Sequence, residues 1–575
     1  MSLQEIKVEI EKHEVISFDV FSTLIDRPYV KPTDIFEQIE TDLNLSGFRK
    51  ERVDAERRSR RKGNPEINYN DIYEEIDKSF FHLKETELDY EMSLLKANSE
   101  MKDVFDYAKS LGKNVIIASD MYLPSDFLNE VLQKNGYLGY SKIYVSCEHK
   151  CNKHSGELFK LILKDLNINP TSMLHIGDNK HSDYDSAKRI GIDAVWYESV
   201  MSQYFSKNKS EFKVYNRNKG LGVSILTSID ALKWLKNGKC ESKENYWLDV
   251  SYRFAGPVVY SFLKFIKQNL PDNVKIFFVA RDGYNLIRVF RALYGDSATS
   301  EYIYAPRIFR YLAGYDNKND SGYAYWIVRY FADHDEIRGL IPNVRLTTKT
   351  CVDIYRNNTE IFENLRTSEM EKCDGYMKKI LVGNENIALV DATTMRYSSQ
   401  KLIEHYAGEG DVIGYYYNAL KDSKEQKHFK FQDRTHNFIS WSEVNVPELF
   451  MSSPEPPIRG ISEEYMPLFK EDNSEYELHR ISIHRDILKG EMDYAADVVE
   501  RFGDKLPDIS ANAVAAWTSM LIHRRSNDDK ENILKMKWAP DFDHKEYYYL
   551  IFNWADIGHH VKGLAISLMK KVLRK

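Results

Sequence analysis

The chain has 575 residues, of which 43% are apolar and 29% charged, and its formal charge is −7. That length exceeds what one hydrophobic core fills and predicts roughly two to four domains, while the acidic balance argues against bulk electrostatic binding of nucleic acid. Five scattered cysteines (Cys147, Cys151, Cys240, Cys351 and Cys373) make no disulfide framework and suit a reducing compartment.

The amino-terminal stretch "MSLQEIKVEIEKHE" is charged and lacks the apolar run of a signal peptide, and no apolar run reaches membrane-spanning length. A cytoplasmic protein is expected. Next come "VISFDVF", then "KNVIIASD", "KIYVS", "TSMLHIGD" and "DAVWY", apolar strands separated by helical stretches such as "SGELFKLILKDLN". Apolar strands alternating with helices predict a parallel sheet covered on both faces, with ligands at the carboxyl ends of its strands. Between the first strand and the next unit lie about 70 residues with helical periodicity, too many for an ordinary crossover. They predict an inserted helical cap at about 28–100 on a first domain spanning 1–204.

Residues 205–220, "FSKNKSEFKVYNRNKG", are polar and basic and read as a linker. A second α/β domain is expected over 221–430, with strands in "VKIFFVARDG", "EYIYAPR", "ENIALVD" and "DVIGYYYNA". From 431 to 575 a mostly helical extension follows. It closes on "GHHVKGLAISLMKKVLRK", whose plain reading is a packed terminal helix and whose other reading is contact with anionic lipid.

Polar residues follow the apolar runs of the first domain in a set: Asp19 with Thr23, Ser119 with Asp120, Lys153, and Asp178 with Asp183. Singly each reads as a helix cap. Together they support phosphoryl transfer. Asp19 can attack phosphorus. Asp19, Asp178 and the backbone carbonyl of Phe21 offer the hard oxygen ligands that Mg²⁺ takes. Ser119 can hold phosphoryl oxygens, Lys153 can neutralise charge, Thr23 can orient the phosphate, and Asp183 can fix Lys153 or join the metal site. The pair in "CEHKC" (147–151) has no second pair of zinc ligands and is a weak metal signal.

The ordered motifs "FDVFSTL", "VIIASD", "NKHSGELF" and "GDNKHSD", the last running on to Ala187 and Gly191, resemble the haloacid dehalogenase-like hydrolase superfamily over residues 16–197. The resemblance implies a Rossmann-like sheet with a substrate-selecting cap, an aspartyl-phosphate on Asp19, and Mg²⁺ held by Asp19, the Phe21 carbonyl, Asp178 and Asp183. Its implied substrate is a small phosphorylated metabolite, such as a sugar phosphate, bound by Ser119, Asp120, Lys153 and Arg52. The departure is Phe21, which stands where the family's phosphatases have their acid–base aspartate, and a phenyl ring moves no proton. Three readings follow: a cap acid, with Glu56 the candidate against its plainer role as an i,i+4 partner of the neighbouring arginines; a leaving group that needs no proton; or a non-catalytic domain that binds phosphorylated ligands or acts as a scaffold. Arg52, Arg57, Arg58 and Arg60 read mostly as a solvated face, from which one or two could reach down to an anionic substrate.

In the second domain, Arg281, Asp282, Arg307, Asp391 and Gln400 are expected at strand ends as a possible second site. The two-part layout resembles large bacterial proteins linked with surface-polysaccharide synthesis, which implies partners there.

Overall fold

Four consecutive buried residues, Val15–Phe18, form β1, and continuous burial on both sides is what a central parallel strand requires. The structure, a computed structural model, describes residues 2–62, 66–239, 245–295, 299–313, 321–341, 346–381, 386–394, 396–432, 441–470, 474–524, 526–538 and 548–551. After β1 the chain makes the short pair β2 (Ile25–Asp26) and β3 (Lys96–Ala97), then β4 (Asn114–Ser119), β5 (Lys142–Val145), β6 (Met173–Gly177) and β7 (Asp193–Trp196). The order β5-β4-β1-β6-β7 is parallel throughout. Alternate residues serve the two faces. Ile16, Phe18, Val115 and Ile117 pack with Ile6, Met101 and Phe105, whereas Val15, Ile116 and Ala118 pack with Leu158, Phe159 and Ile162.

Between β2 and β3 lie the helices Asp34–Asp42, Phe48–Arg61, Tyr69–Glu75 and Lys84–Leu94. The two chain crossings into this helical layer are tied by antiparallel pairing of Ile25 with Ala97 and Asp26 with Lys96. In Phe48–Arg61 the buried residues are Phe48, Arg52, Ala55 and Ser59, a spacing of one helix face. An arginine therefore occupies an interior position. It is held there by Glu87, whose oxygens accept from Arg52 Nε and Nη2, both at 2.8 Å. One turn later on the same helix, Glu91 accepts from Arg27 Nε at 3.1 Å and Nη2 at 2.9 Å.

The chain divides into two compact units, residues 1–241 with 497–517, and 242–496 with 518–575. The expected linker 205–220 is instead helical, in Val200–Lys207 and Lys209–Arg217. Its lysines hide an aromatic spacing: Phe205 lies 5.6 Å from Tyr215 and 5.1 Å from Phe212, and Tyr204 meets Trp234. The helix Leu221–Lys236, expected to open the second domain, belongs to the first unit, where Ser224 Oγ donates to Asp34 Oδ2 at 2.7 Å. The distant segment 497–517 also returns to the first unit. Gln38 Nε2 donates to the Lys505 carbonyl at 2.8 Å.

The second unit is built on β8 (Lys275–Val279), β9 (Ser300–Ile303), β10 (Ile387–Thr394), β11 (Val412–Ala419) and β12 (His428–Gln432). They run parallel in the order β12-β11-β10-β8-β9. Long helices, Glu475–Phe502 and Ala511–His523, follow, and the basic terminal stretch lies outside the described residues. Among the described residues no helix is long and apolar enough to cross a membrane.

Arg52→Ala strands the Glu87 carboxylate in the interior and is expected to cost about 3–5 kcal/mol. Arg57→Ala removes an exposed pair with Asp54 and is expected to stay within about 0.5 kcal/mol. The denaturant midpoint of the transition that includes the first unit separates the two outcomes.

Candidate active site

The centre of the site is the ammonium of Lys153, 2% exposed, which lies 2.5 Å from Asp19 Oδ1 and 2.6 Å from Asp183 Oδ1. Asp19 follows β1 directly, and its N–H donates to the Ile176 carbonyl of β6 at 2.9 Å, so the Asp19 backbone is part of the sheet. Thr23 Oγ1 donates to Asp19 Oδ2 at 3.3 Å. The loop between them is a tight reversal, in which Ser22 N donates to the Ile25 carbonyl at 2.8 Å.

Asp183 reaches Lys153 from a wide helical turn, Lys180–Asp185, capped by Asn179, whose side chain accepts from the N–H groups of His181 and Ser182. Asn179 N–H in turn donates to Asp183 Oδ2 at 2.9 Å. His175, on β6, completes the support: Nε2 lies 3.2 Å from Asp183 Oδ1 and Nδ1 lies 2.8 Å from Ser17 Oγ. Ser17 and His175 are register partners across β1 and β6. A Cβ at Gly177 would collide with the Asp183 carboxylate, so the glycine of "HIGD" is what lets the turn close on the strand.

The charges here are unequal. Burial, with Asp183 as neighbour, pushes Asp19 up to about 7 despite Lys153. Burial and repulsion from Asp19 and Asp183 push Asp178 up to about 8. For Asp183, burial is outweighed by Lys153 and His175, which hold it well below the usual carboxylate range. For Lys153, burial is outweighed by Asp183, Asp19 and Asp120, which keep it cationic. Asp178 Oδ atoms make no hydrogen bond among the described residues, although its carbonyl accepts from Trp196 Nε1. Oxygens of Asp19, Asp178 and Asp183 lie within 4.8 Å of one another. A crowded, all-oxygen set with one carboxylate lacking a donor fits a divalent cation of the Mg²⁺ type. Both Asp183 oxygens already accept hydrogen bonds, so its firmer part is the anchoring of Lys153.

Asp120 accepts from the N–H groups of Lys153 (2.8 Å) and His154 (3.3 Å), so it clamps the lysine loop. Ser119 is buried at the end of β4. Arg52, expected on substrate, is fully buried on Glu87, with Phe36 and Tyr122 rings 4.7 and 5.1 Å from its Cζ. Glu56 is spanned by Arg60 at 2.8 Å and Arg52 at 3.4 Å, the ordinary helix-face pairing. Phe21 carries the Arg27 guanidinium 4.4 Å above its ring. Sequence reasoning missed His175, Ser17 and Arg27. The signal for the first two was a polar residue inside each of two apolar strands.

Of the second set, Arg281 and Asp282 follow β8, and the Arg307 side chain lies outside the described residues. Asp391 lies within β10, which runs on to Thr394 because its backbone keeps pairing with β11. Gln400 is spent inside: its Nε2 donates to the carbonyls of Val412 (3.3 Å) and Lys427 (3.0 Å), at the starts of β11 and β12 and so away from the strand ends.

Residues 13–191 match the family described as haloacid dehalogenase-like hydrolase. Among solved structures, the chain is similar to an L-2-haloacid dehalogenase from Xanthobacter autotrophicus. Identity is 13%, covering 34% of this chain and 83% of the other, with a TM-score of 0.25. It is also similar to a haloacid dehalogenase-family enzyme from Bacteroides thetaiotaomicron, at 16% identity over 32% and 94% of the two chains, with a TM-score of 0.27. Comparison with curated protein sequences gives no match.

Asp183→Asn removes one of the two carboxylates on a buried ammonium and is expected to lower the first unit's stability by about 3 kcal/mol. Ser17→Ala, which takes one hydrogen bond from His175, is expected to cost about 1 kcal/mol. Chemical denaturation of both variants checks the ranking.

Proposed function

We propose that the first unit is a Mg²⁺-dependent phosphohydrolase or phosphotransferase that acts through an aspartyl-phosphate on a small phosphorylated metabolite. The observation that carries this reading is Lys153 bridging Asp19 and Asp183 beside an Asp178 carboxylate that lacks a donor. A pocket that only bound phosphate would gain nothing from a carboxylate at its centre, since two anions repel. The Asp19 oxygen not held by Lys153 forms the new bond to phosphorus as the bond to the leaving oxygen breaks. Water then cleaves the acyl phosphate and returns the carboxylate. Lys153 stays protonated through both steps, fixes the Asp19 carboxyl and balances charge on the transferring group. Thr23 limits rotation of Asp19. A cation held by Asp19, Asp178 and the Phe21 carbonyl would supply charge neutralisation between carboxylate and phosphate.

Phe21 offers no proton to the leaving group, and the guanidinium over its ring is engaged with Glu91. The reading therefore includes a preference for leaving groups that depart as stable anions, such as acyl or aryl phosphates. A role beside surface-polysaccharide synthesis belongs to this proposal and rests on the resemblance of the two-part layout alone. Phe21 also favours a second reading, a domain that binds phosphorylated ligands without turnover.

In a panel of phosphate esters of falling leaving-group pKa, the rate of Mg²⁺-dependent phosphate release is expected to rise steeply, and Asp19→Asn is expected to lose at least about a thousandfold. Near-normal release by Asp19→Asn overturns the mechanism. Mg²⁺-dependent beryllofluoride binding without release from any activated phosphate favours the second reading. Separately, Mg²⁺ is expected to raise the melting temperature of the wild type and not of Asp178→Asn. An equal shift in both removes Asp178 from the metal site.

A further inference from the structure

The second sheet has a break in its winding direction. From β8 the chain passes outward to β9 and then returns to place β10 on the other side of β8. At such a reversal the connections leave in opposite directions and open a crevice at the carboxyl ends of the strands. The residues that emerge there from β8 are Arg281 and Asp282, immediately before the helix Gly283–Tyr294. That helix starts close to the strand, since a Cβ at Gly283 would meet the Phe278 backbone at 2.7 Å.

The Arg281 guanidinium makes no hydrogen bond among the described residues, and a carboxylate oxygen of Glu477 lies 3.8 Å from it. Glu477 is already engaged. Its other oxygen accepts from Arg480 Nε at 3.0 Å and Nη2 at 2.7 Å. One carboxylate thus stands between two guanidiniums, and the half-buried one has the poorer share. Burial and the Arg480 charge both weigh against the Arg281 cation. Asp282 makes no hydrogen bond either, and its helix is not capped by its side chain. A guanidinium and a carboxylate side by side, both without hydrogen-bond partners, are costly features unless something else binds them. Around them the wall is aromatic. Tyr284 and Tyr302 rings meet edge to face at 5.9 Å, and Tyr302 and Tyr304 hydroxyls both donate to Glu455, at 2.7 and 2.9 Å. Those bonds fix the rings.

We propose that the carboxyl end of β8, with the reversal on its β10 side and the tyrosines of β9 on the other, forms a second ligand site, in which Arg281 takes the phosphate of a phosphorylated sugar or nucleotide and Asp282 accepts its hydroxyls. The guanidinium fork matches phosphate oxygens in a bidentate way, and the start of the following helix adds N–H groups that favour an anion. Asp282 is matched to a neutral donor, which selects against inorganic phosphate alone. The fixed tyrosines give a sugar ring or base a flat, partly apolar neighbour.

The test uses the full chain in EDTA, with inorganic phosphate, glucose 1-phosphate and uridine diphosphate as probes and calorimetry as the readout. The ring-bearing probes are expected to bind more tightly than inorganic phosphate. Arg281→Gln is expected to weaken them at least about tenfold. Arg281→Lys, which keeps the charge without the fork, is expected to recover only part of the affinity. Asp282→Asn is expected to weaken the ring-bearing probes and not inorganic phosphate. Hydrogen exchange with uridine diphosphate is expected to slow in 280–290, which reports the site even where a variant folds poorly. Equal affinity in wild type and Arg281→Gln, no binding of any probe at millimolar concentration, or loss of binding in Lys153→Gln overturns the proposal.

Discussion

Lys153 is a full positive charge taken almost entirely out of water, and it is tolerable only because two carboxylates meet it. Much of the first unit is arranged to deliver them. Asp19 arrives on β1, the central strand. Asp183 comes back from beyond β6 on a turn that closes only over a glycine, Gly177. His175 and Ser17, paired across the two strands, hold that turn from beneath. Asp120 fixes the lysine's own loop through two backbone N–H groups. The third carboxylate, Asp178, makes no hydrogen bond to the lysine. Burial and its anionic neighbours push it up to about 8, which is why the oxygen cluster fits a cation and why stability and chemistry are coupled there.

The helical layer repeats the same physics with different charges. Glu87 and Glu91, one turn apart on one helix, each bind an arginine through two nitrogens. Arg27, held by Glu91, lies over Phe21. Phe21 is therefore the floor for a guanidinium fixed by the inserted helices. A carboxylate in its place would meet that guanidinium. Phe21 and the Arg27–Glu91 pair form one arrangement, joining the loop after Asp19 to the layer above it.

The alternation of apolar runs and helical stretches, and the polar residue after each run, were enough to state a parallel sheet and to group Asp19, Thr23, Ser119, Lys153, Asp178 and Asp183. This works because strands end where side chains turn polar, and in a parallel sheet those ends share one edge. The same reasoning placed Gln400 at that edge, whereas it sits at the starts of β11 and β12. A glutamine's position relative to a strand end depends on how its helix docks, which local pattern does not carry. The segment 205–220 read as a linker because its lysines mask the aromatic residues, while its packing rests on ring contacts of Phe205 with Phe212 and Tyr215 that form only once the helices pack.

By itself, then, the sequence determined the strands of the first sheet, the grouping of Asp19 with Lys153, and the absence of an acid at Phe21. These are local facts: period, residue type and order along the chain. Only the tertiary structure decided that Arg52 is interior, that Glu56 is a surface partner, that residues 497–517 rejoin the first unit, and that Arg281 stands beside Arg480 with one carboxylate between them. The burial of Arg52 and the placing of Arg281 depend on a charge meeting its partner from a distant stretch of chain. Coulomb pairing depends on distance in space and has no period in sequence, so it becomes visible only when the elements are in place.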